Sequence, residues 1–309
     1  MEKNNVVLHD KTKRRGKAKE WLLFISFVAF PLIQFLIFYV AVNFNSILLA
    51  FQTYSADGTV RWGFDNFARI FSETNFQTVL HSLRNSGIFF AVRVFVGMSL
   101  GMLFSYYIFK MMPGHNFFKV MLFIPTIVSS VVMVIIYELG SEHVLPYLVT
   151  GSRYAAGYLQ NPDTRFITVI IYNIWVGFGT QVLMYLGAMN SVSDGALEAA
   201  KIDGVNAVQE FTHVIFPGIY PTFVVFMTVN VVEIFTHQMA LHTFFGFKEL
   251  DGTSMYTLGY YLYREVGLAE ANTANLTYPA ALGVLCTIIA VPLVVGIRKL
   301  MTKFGPSES

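Results

Sequence analysis

A single cysteine, Cys286, stands in 309 residues, inside an apolar run. That excludes an internal disulfide and a thiolate metal site, and reads as a small buried apolar residue. Charge is scarce as well: Asp, Glu, Lys and Arg make up 13% of the chain, where soluble domains carry about 25%. The seven His residues are scattered in or beside loops. His237 and His242 are five apart, off a common helical face, and no His-Glu-x-x-His occurs. Neither a catalytic constellation nor a metal site is therefore expected. No Gly-x-x-x-x-Gly-Lys-Ser/Thr is present, so the chain has no P-loop to cradle a nucleotide, and if ATP drives it the ATPase is another chain. The halves share no repeat, which gives an inverted-repeat secondary transporter little support. A net charge of +2 implies no nucleic-acid partner by itself.

What the chain has is apolar surface. Apolar residues reach 55%, mean hydropathy is +0.55, and there are 30 Phe and 16 Tyr. The expected fold class is an all-α polytopic membrane protein, its burial partner mostly lipid. A basic tail over 1–20 carries Lys3, Lys11, Lys13, Arg14, Arg15, Lys17 and Lys19 and reads as a cytoplasmic topology anchor rather than a nucleic-acid patch. Six spans are expected within 21–297, at about 21–42, 88–109, 120–137, 166–189, 220–235 and 278–297. The first is too long and too aromatic for a cleaved signal peptide and reads as a retained helix. A cytoplasmic tail, 298–309, follows the last. With both termini inside, the inside segments hold 13 Lys/Arg and the longer outside segments seven, the sign the positive-inside rule requires.

Local signals add detail. Phe67, Ile70 and Phe71 fall at helical spacing, as in a short helix at the membrane surface. Gly97 and Gly101 offer close approach to another helix. Pro113-Gly114 marks a turn, and Pro125 a kink in the third span.

Between the fourth and fifth spans lies a polar island, 193–221. Ser193 or Asp194 can N-cap a short helix, and Asp203-Gly204 stops it, Gly being free to take positive φ. Asn206 and Gln209 make a capping pair for a second helix that runs to Phe216, before Pro217. The expected object is a helix-turn-helix elbow beneath the membrane. Glu198-Ala199-Ala200 gives it a close-approach surface with one anion, suited to a groove on a partner.

Two polar faces lie within the spans. Asn230, Glu233 and His237, spaced 3 and 4, share one helical face, read either as a substrate wall or as a helix-helix contact. Asn173, Gly177, Thr180 and Gln181, with Trp175 to one side, suit an uncharged polyhydroxylated ligand, or equally interhelical hydrogen bonding. Arg93 reads as snorkelling to the outer interface or as a pore contact.

Glu198-Ala199-Ala200, Asp203-Gly204, Phe211, Ile215, Pro217 and Pro221 resemble the "EAA" loop of permease subunits of bacterial ABC importers. Gly63-Phe64-Asp65-Asn66-Phe67, Phe123-Ile124-Pro125 and 173–178 extend the resemblance to the carbohydrate-importer permeases of the maltose type. Val205 stands where Ala is usual, Phe216 where Leu is usual, and Ser193 where Pro often precedes the motif. The stretch 250–257 only weakly resembles that family's Gly-Gly-Pro loop. The resemblance implies the type I importer permease fold in a bacterial inner membrane, importing a sugar, with an oligosaccharide expected. A non-sugar solute such as glycerol phosphate is the alternative. It implies no cofactor in this chain, with ATP-Mg on the partner. The implied partners are a second homologous permease in a heterodimer, two cytoplasmic ATPase subunits and an extracytoplasmic solute-binding protein. Carried over, Glu198, Ala199, Ala200, Asp203, Gly204 and Pro217 form the ATPase-coupling set. Asn173, Gly177 and Asn230 fall on the maltose-type sugar site, and Thr180, Glu233 and His237 join them as a substrate pathway.

Overall fold

Among the described residues of the computed structural model, six helices are long and apolar enough to cross a bilayer. The structure describes residues 19–306 apart from 22, 56, 153–154, 248–254 and 270–271. The basic residues from Lys3 to Lys17 and most of 250–257 lie outside the described residues.

Helix α1 (Lys19–Ala50) is apolar all round, and its membrane window buries nothing against the rest of the chain. It meets the bundle through its last turns, Val42–Ala50, which pack on the final helix. A hairpin follows, β1 (Gln52–Tyr54) and β2 (Val60–Trp62), antiparallel with Thr53 opposite Arg61. The short helix expected around Phe67 is α2 (Asp65–Ile70). Ile70 enters the core, whereas Phe71 turns outward. Asn66, fully buried in α2, donates to the Ala50 and Gln52 carbonyls at 3.1 and 2.7 Å. One amide thus closes the end of α1 and holds the hairpin, satisfying carbonyls a helix terminus leaves open.

Helix α3 (Glu73–Phe109) begins fifteen residues before the expected second span and contains a π turn, Arg93–Met98. The expected third span is two helices. Helix α4 (His115–Ile127) holds Pro125, and the chain breaks at Val128 and Ser129, both with extended ψ, before α5 (Ser130–Thr150). Pro125 removes one rung of the ladder. Ser129 then takes the N-cap position, and its carbonyl accepts from Met133 N at 3.0 Å.

Helix α6 (Pro162–Met189) is the axis of the bundle, packed by α3, α4 and the fifth spanning helix. Gly101 faces it as the small-residue spacing suggested: a Cβ there would lie 3.2 Å from Gln181 Oε1. Ser105 Oγ closes the contact by donating to the Val182 carbonyl at 3.0 Å. Helix α7 (Asp194–Ile202) follows. Helix α8 (207–236) comprises Ala207–Glu210, a π turn at Phe211–Ile215, and Phe216–Thr236. The elbow's second helix and the fifth span are therefore one rod, not two pieces separated at Pro217. Phe216 N–H reaches back to the Phe211 carbonyl. Pro217 falls in the first turn of the α register that resumes, where no N–H is needed.

The tyrosine-rich outer segment folds into α9 (Leu241–Phe245) and α10 (Leu258–Ala269), and α11 (Thr277–Phe304) is the last span. Tyr256, Tyr260, Tyr261 and Tyr278 build the core at this end, with the Tyr261 and Tyr278 hydroxyls 3.0 Å apart. At the opposite end lie Lys110, the elbow and the basic end of α11, tied together by Tyr106, Glu210 and Tyr220. The positive charges gather where the charge bias puts the cytoplasm.

Candidate functional site

Two sites occupy the two ends of α8. At its start, α7 turns back on itself through a Schellman motif: Gly204 takes φ +69°, Val205 N donates to Ala200 O and Gly204 N to Lys201 O, each at 3.2 Å. Asn206 and Gln209 form the expected capping box, with Asn206 Oδ1 accepting from Val208 N and Gln209 N at 3.1 and 2.9 Å. Ser193 sits at the N-cap of α7 but its side chain makes no capping bond. Leu197 and Ala200 turn inward, Leu197 onto the cluster of Ile215, Ile219, Tyr185 and Met189. Glu198 and Ala199 face out, as do Ile202 (86% exposed) and Val208 (71%). Glu198 thus shares the outer surface of the elbow with exposed aliphatic side chains. Asp203 caps α7, and Pro217 lies past the π turn at the root of the elbow.

The elbow is also fastened in a way the sequence does not announce. Glu210 is buried, and both its carboxylate oxygens accept from Nζ of Lys110, the residue that caps α3, at 2.9 and 3.0 Å. Tyr106 Oη donates to the Ala207 carbonyl at 3.2 Å, and its ring meets Phe211 edge-on at 5.3 Å.

At the far end of α8 a cavity of about 430 Å³ opens between α5, α6 and the segment 237–240. Asn173, Glu233 and His237 all line it, with Ser130, Tyr172 and Gln238. Asn173 Nδ2 donates to the Val169 carbonyl at 2.8 Å and across to the Met239 carbonyl at 3.0 Å. His237 Nδ1 accepts from Met239 N at 3.0 Å, and Thr257 Oγ1 donates to the His237 carbonyl at 2.8 Å. Together these bonds hold Met239 and Ala240 at φ +52° and +56°, left-handed backbone that costs a non-glycine residue roughly 1–2 kcal/mol.

The other residues of the expected pathway lie elsewhere. Gly177 is one turn along α6 from Asn173, with open space where a Cβ would stand, and Thr180 is exposed beyond it. Gln181 leaves that face to pack on α3. Asn230, 2% exposed, turns from the cavity into the α3–α8 contact, where Nδ2 reaches Met98 Sδ at 3.2 Å. Arg93 does not snorkel: it pairs with Glu233 across that same contact and lies over the Phe89 ring at 5.5 Å. Among the described residues no group of His, Cys, Asp or Glu is placed to hold a metal. Two larger cavities, about 780 and 880 Å³, lie along α11, and the second is walled mainly by aliphatic side chains.

Sequence reasoning missed Lys110–Glu210, Arg93–Glu233 and the loop 237–240. The first two were visible only as charges beside or inside apolar runs. The loop carried no glycine at Met239 and Ala240 to mark it.

Comparison with known proteins agrees with this layout. The chain is 26% identical over 286 residues to the probable ABC transporter permease protein YesP of Bacillus subtilis, covering 90% of this chain and 89% of that one. It is 24% identical to the arabinooligosaccharides transport system permease protein AraP of the same organism, covering 88% and 85%. A crystal structure of a bacterial ABC transporter involved in import of the acidic polysaccharide alginate contains a chain of the same fold. Its TM-score is 0.74 at 19% identity, over 93% of this chain and 97% of that one. Residues 87–306 match the family of binding-protein-dependent transport system inner membrane components, and the chain belongs to that family.

Proposed function

We propose that the chain forms half of the translocation path of an ATP-driven importer for an oligosaccharide, working beside a second, homologous permease. The observation that carries the cargo is the charge state of the cavity wall. Its one carboxylate among the described residues, Glu233, is neutralised from behind by Arg93. The wall presents an amide pair, hydroxyls, an imidazole and the Tyr172 ring. Sugar hydroxyls both donate and accept, and sugar CH faces stack on rings, so such a wall suits an uncharged polyhydroxylated ligand. An anionic solute such as glycerol phosphate would meet an arginine already engaged. The relative named for arabinooligosaccharides supports the same class.

The elbow supplies the drive. Glu198, Ala199 and Ile202 project toward a cleft on a cytoplasmic ATPase, one of a pair, which holds ATP and magnesium. This chain carries out no hydrolysis of its own. When the ATPases close, the elbow moves with the cleft, and rigid-body rotation of the spans exposes the cavity alternately to each side. An extracytoplasmic binding protein delivers the sugar from outside. The test is ATP-dependent uptake by the reconstituted complex across neutral oligosaccharides, uronic-acid oligosaccharides and glycerol phosphate. Preference for a neutral oligosaccharide is expected; uptake confined to glycerol phosphate would sink the sugar reading.

A further inference from the structure

The elbow rests on the membrane helices through apolar packing, the bond from the Tyr106 hydroxyl to the Ala207 carbonyl, and one ion pair. Leu197 lies on aliphatic and aromatic side chains, a surface along which one helix can slide on another. Lys110–Glu210 is different. Glu210 keeps 7% of its side-chain surface and Lys110 29%, and separating such a pair strands a charge away from water. Helices α3 and α8 are joined a second time at the cavity, by Arg93–Glu233 and by Asn230 against Met98. On α3 the two fastenings are about 26 Å apart at 1.5 Å per residue. A slide of α8 past α3 by one helical turn, about 5.4 Å, would break both.

We propose that Lys110 and Glu210 are the positioning pair through which the elbow drives α3, so that α3 and α8 move as one lever with the cavity wall at its far end. The proposal rests on the coupling role given to the elbow above. Helix α8 runs unbroken from the elbow to Thr236, so a displacement at Ala207 reaches Glu233 along one rod. Without the Lys110–Glu210 pair, only the Tyr106 hydroxyl and ring would hold α3 to the elbow, and α8 would turn while α3 lagged behind. The two halves of the Arg93–Glu233 pair would then be pulled apart instead of carried together.

The test uses the full transporter complex with its ATPases and a Cys286→Ser background carrying Thr236→Cys at the cavity rim. The probe is a small methanethiosulfonate reagent, and its labelling rate is compared without nucleotide and with ATP plus vanadate. The reference is expected to change by about fivefold or more, the lower end of an ordinary allosteric coupling. Lys110→Glu and Glu210→Lys should co-purify with their partners yet lose that change, and the double reversal should restore it. Where a reversal blocks assembly, Glu210→Gln keeps the side chain's shape and is read the same way. Single variants that keep the reference change, or a double reversal no better than the singles, overturn the proposal. Glu198→Lys separates the levels. If it loses the change while the pair variants keep it, only the lever falls; if it too keeps the change, the coupling role of the elbow falls.

Discussion

Arg93, at the start of the π turn in α3, pairs with Glu233 of α8, 140 positions along the chain, behind a cavity that Glu233 lines. Two charges that would each be costly against lipid are acceptable together. Their pairing also leaves the cavity wall electrically balanced.

Neutralising one partner should therefore harm more than neutralising both. Arg93→Gln or Glu233→Gln alone leaves an uncompensated charge, with an expected loss of about 2 kcal/mol. The double variant should recover most of that in thermal unfolding of the purified complex. Equal losses in the singles and a full sum in the double would mean the two residues do not interact.

The elbow variants should separate assembly from coupling. Glu198→Lys puts a cation on the outward face, and Gly204→Asp places a Cβ at φ +69°, costing about 1 kcal/mol. Both should assemble in part and hydrolyse ATP while uptake collapses. Normal uptake by either would remove that residue from the coupling set.

Asn173 and Asn230 should behave differently although both are amides inside spans. Asn173→Ala loses the bond to Met239 that holds the cavity loop, so KM for the sugar should rise. Asn230→Leu should leave KM unchanged, because the side chain lies between α3 and α8 with Oδ1 buried and unbonded. A raised KM for Asn230→Leu at unchanged stability would instead return it to the sugar path.

At the outer end, Glu142 closes the loop before α6. Its Oε1 accepts from Leu159 N and Gln160 N at 2.6 and 3.2 Å, and the carboxylate lies so close to Gly157 that a Cβ there would overlap it. Glu142→Ala strands both donors, at about 1–3 kcal/mol for a buried group left unpaired. Gly157→Ala should expel the carboxylate to similar effect. Limited proteolysis of the loop and the thermal midpoint report both; unchanged resistance in both variants would show that the clamp carries no stability.

The elbow was legible in sequence because its determinants are local. Asp203-Gly204 and the Asn206–Gln209 pair act within four residues, and the chain obeys them. The break at Val128–Ser129 was not, because Pro125 marks a fault in the ladder without saying whether the helix bends or ends. Continuity through Pro217 was missed for the converse reason: a π turn absorbs a residue that normally stops a helix. Faces read from spacing were half right. Asn173 lines the cavity and Gly177 lies one turn along, but Gln181, one residue past Thr180, packs on α3. The ion pairs join residues 100 and 140 positions apart, a relation no local pattern encodes.

Met239 and Ala240 hold a backbone shape that their own side chains disfavour, imposed by Asn173 from α6 and by His237. The contour of the cavity is therefore not a property the loop would carry with it. Grafting 237–240 into a related permease would transplant the letters without the shape, unless the asparagine of α6 travelled too. The shape of the cavity is inherited by α6 and the loop as a single unit, and reshaping it would have to alter both at once.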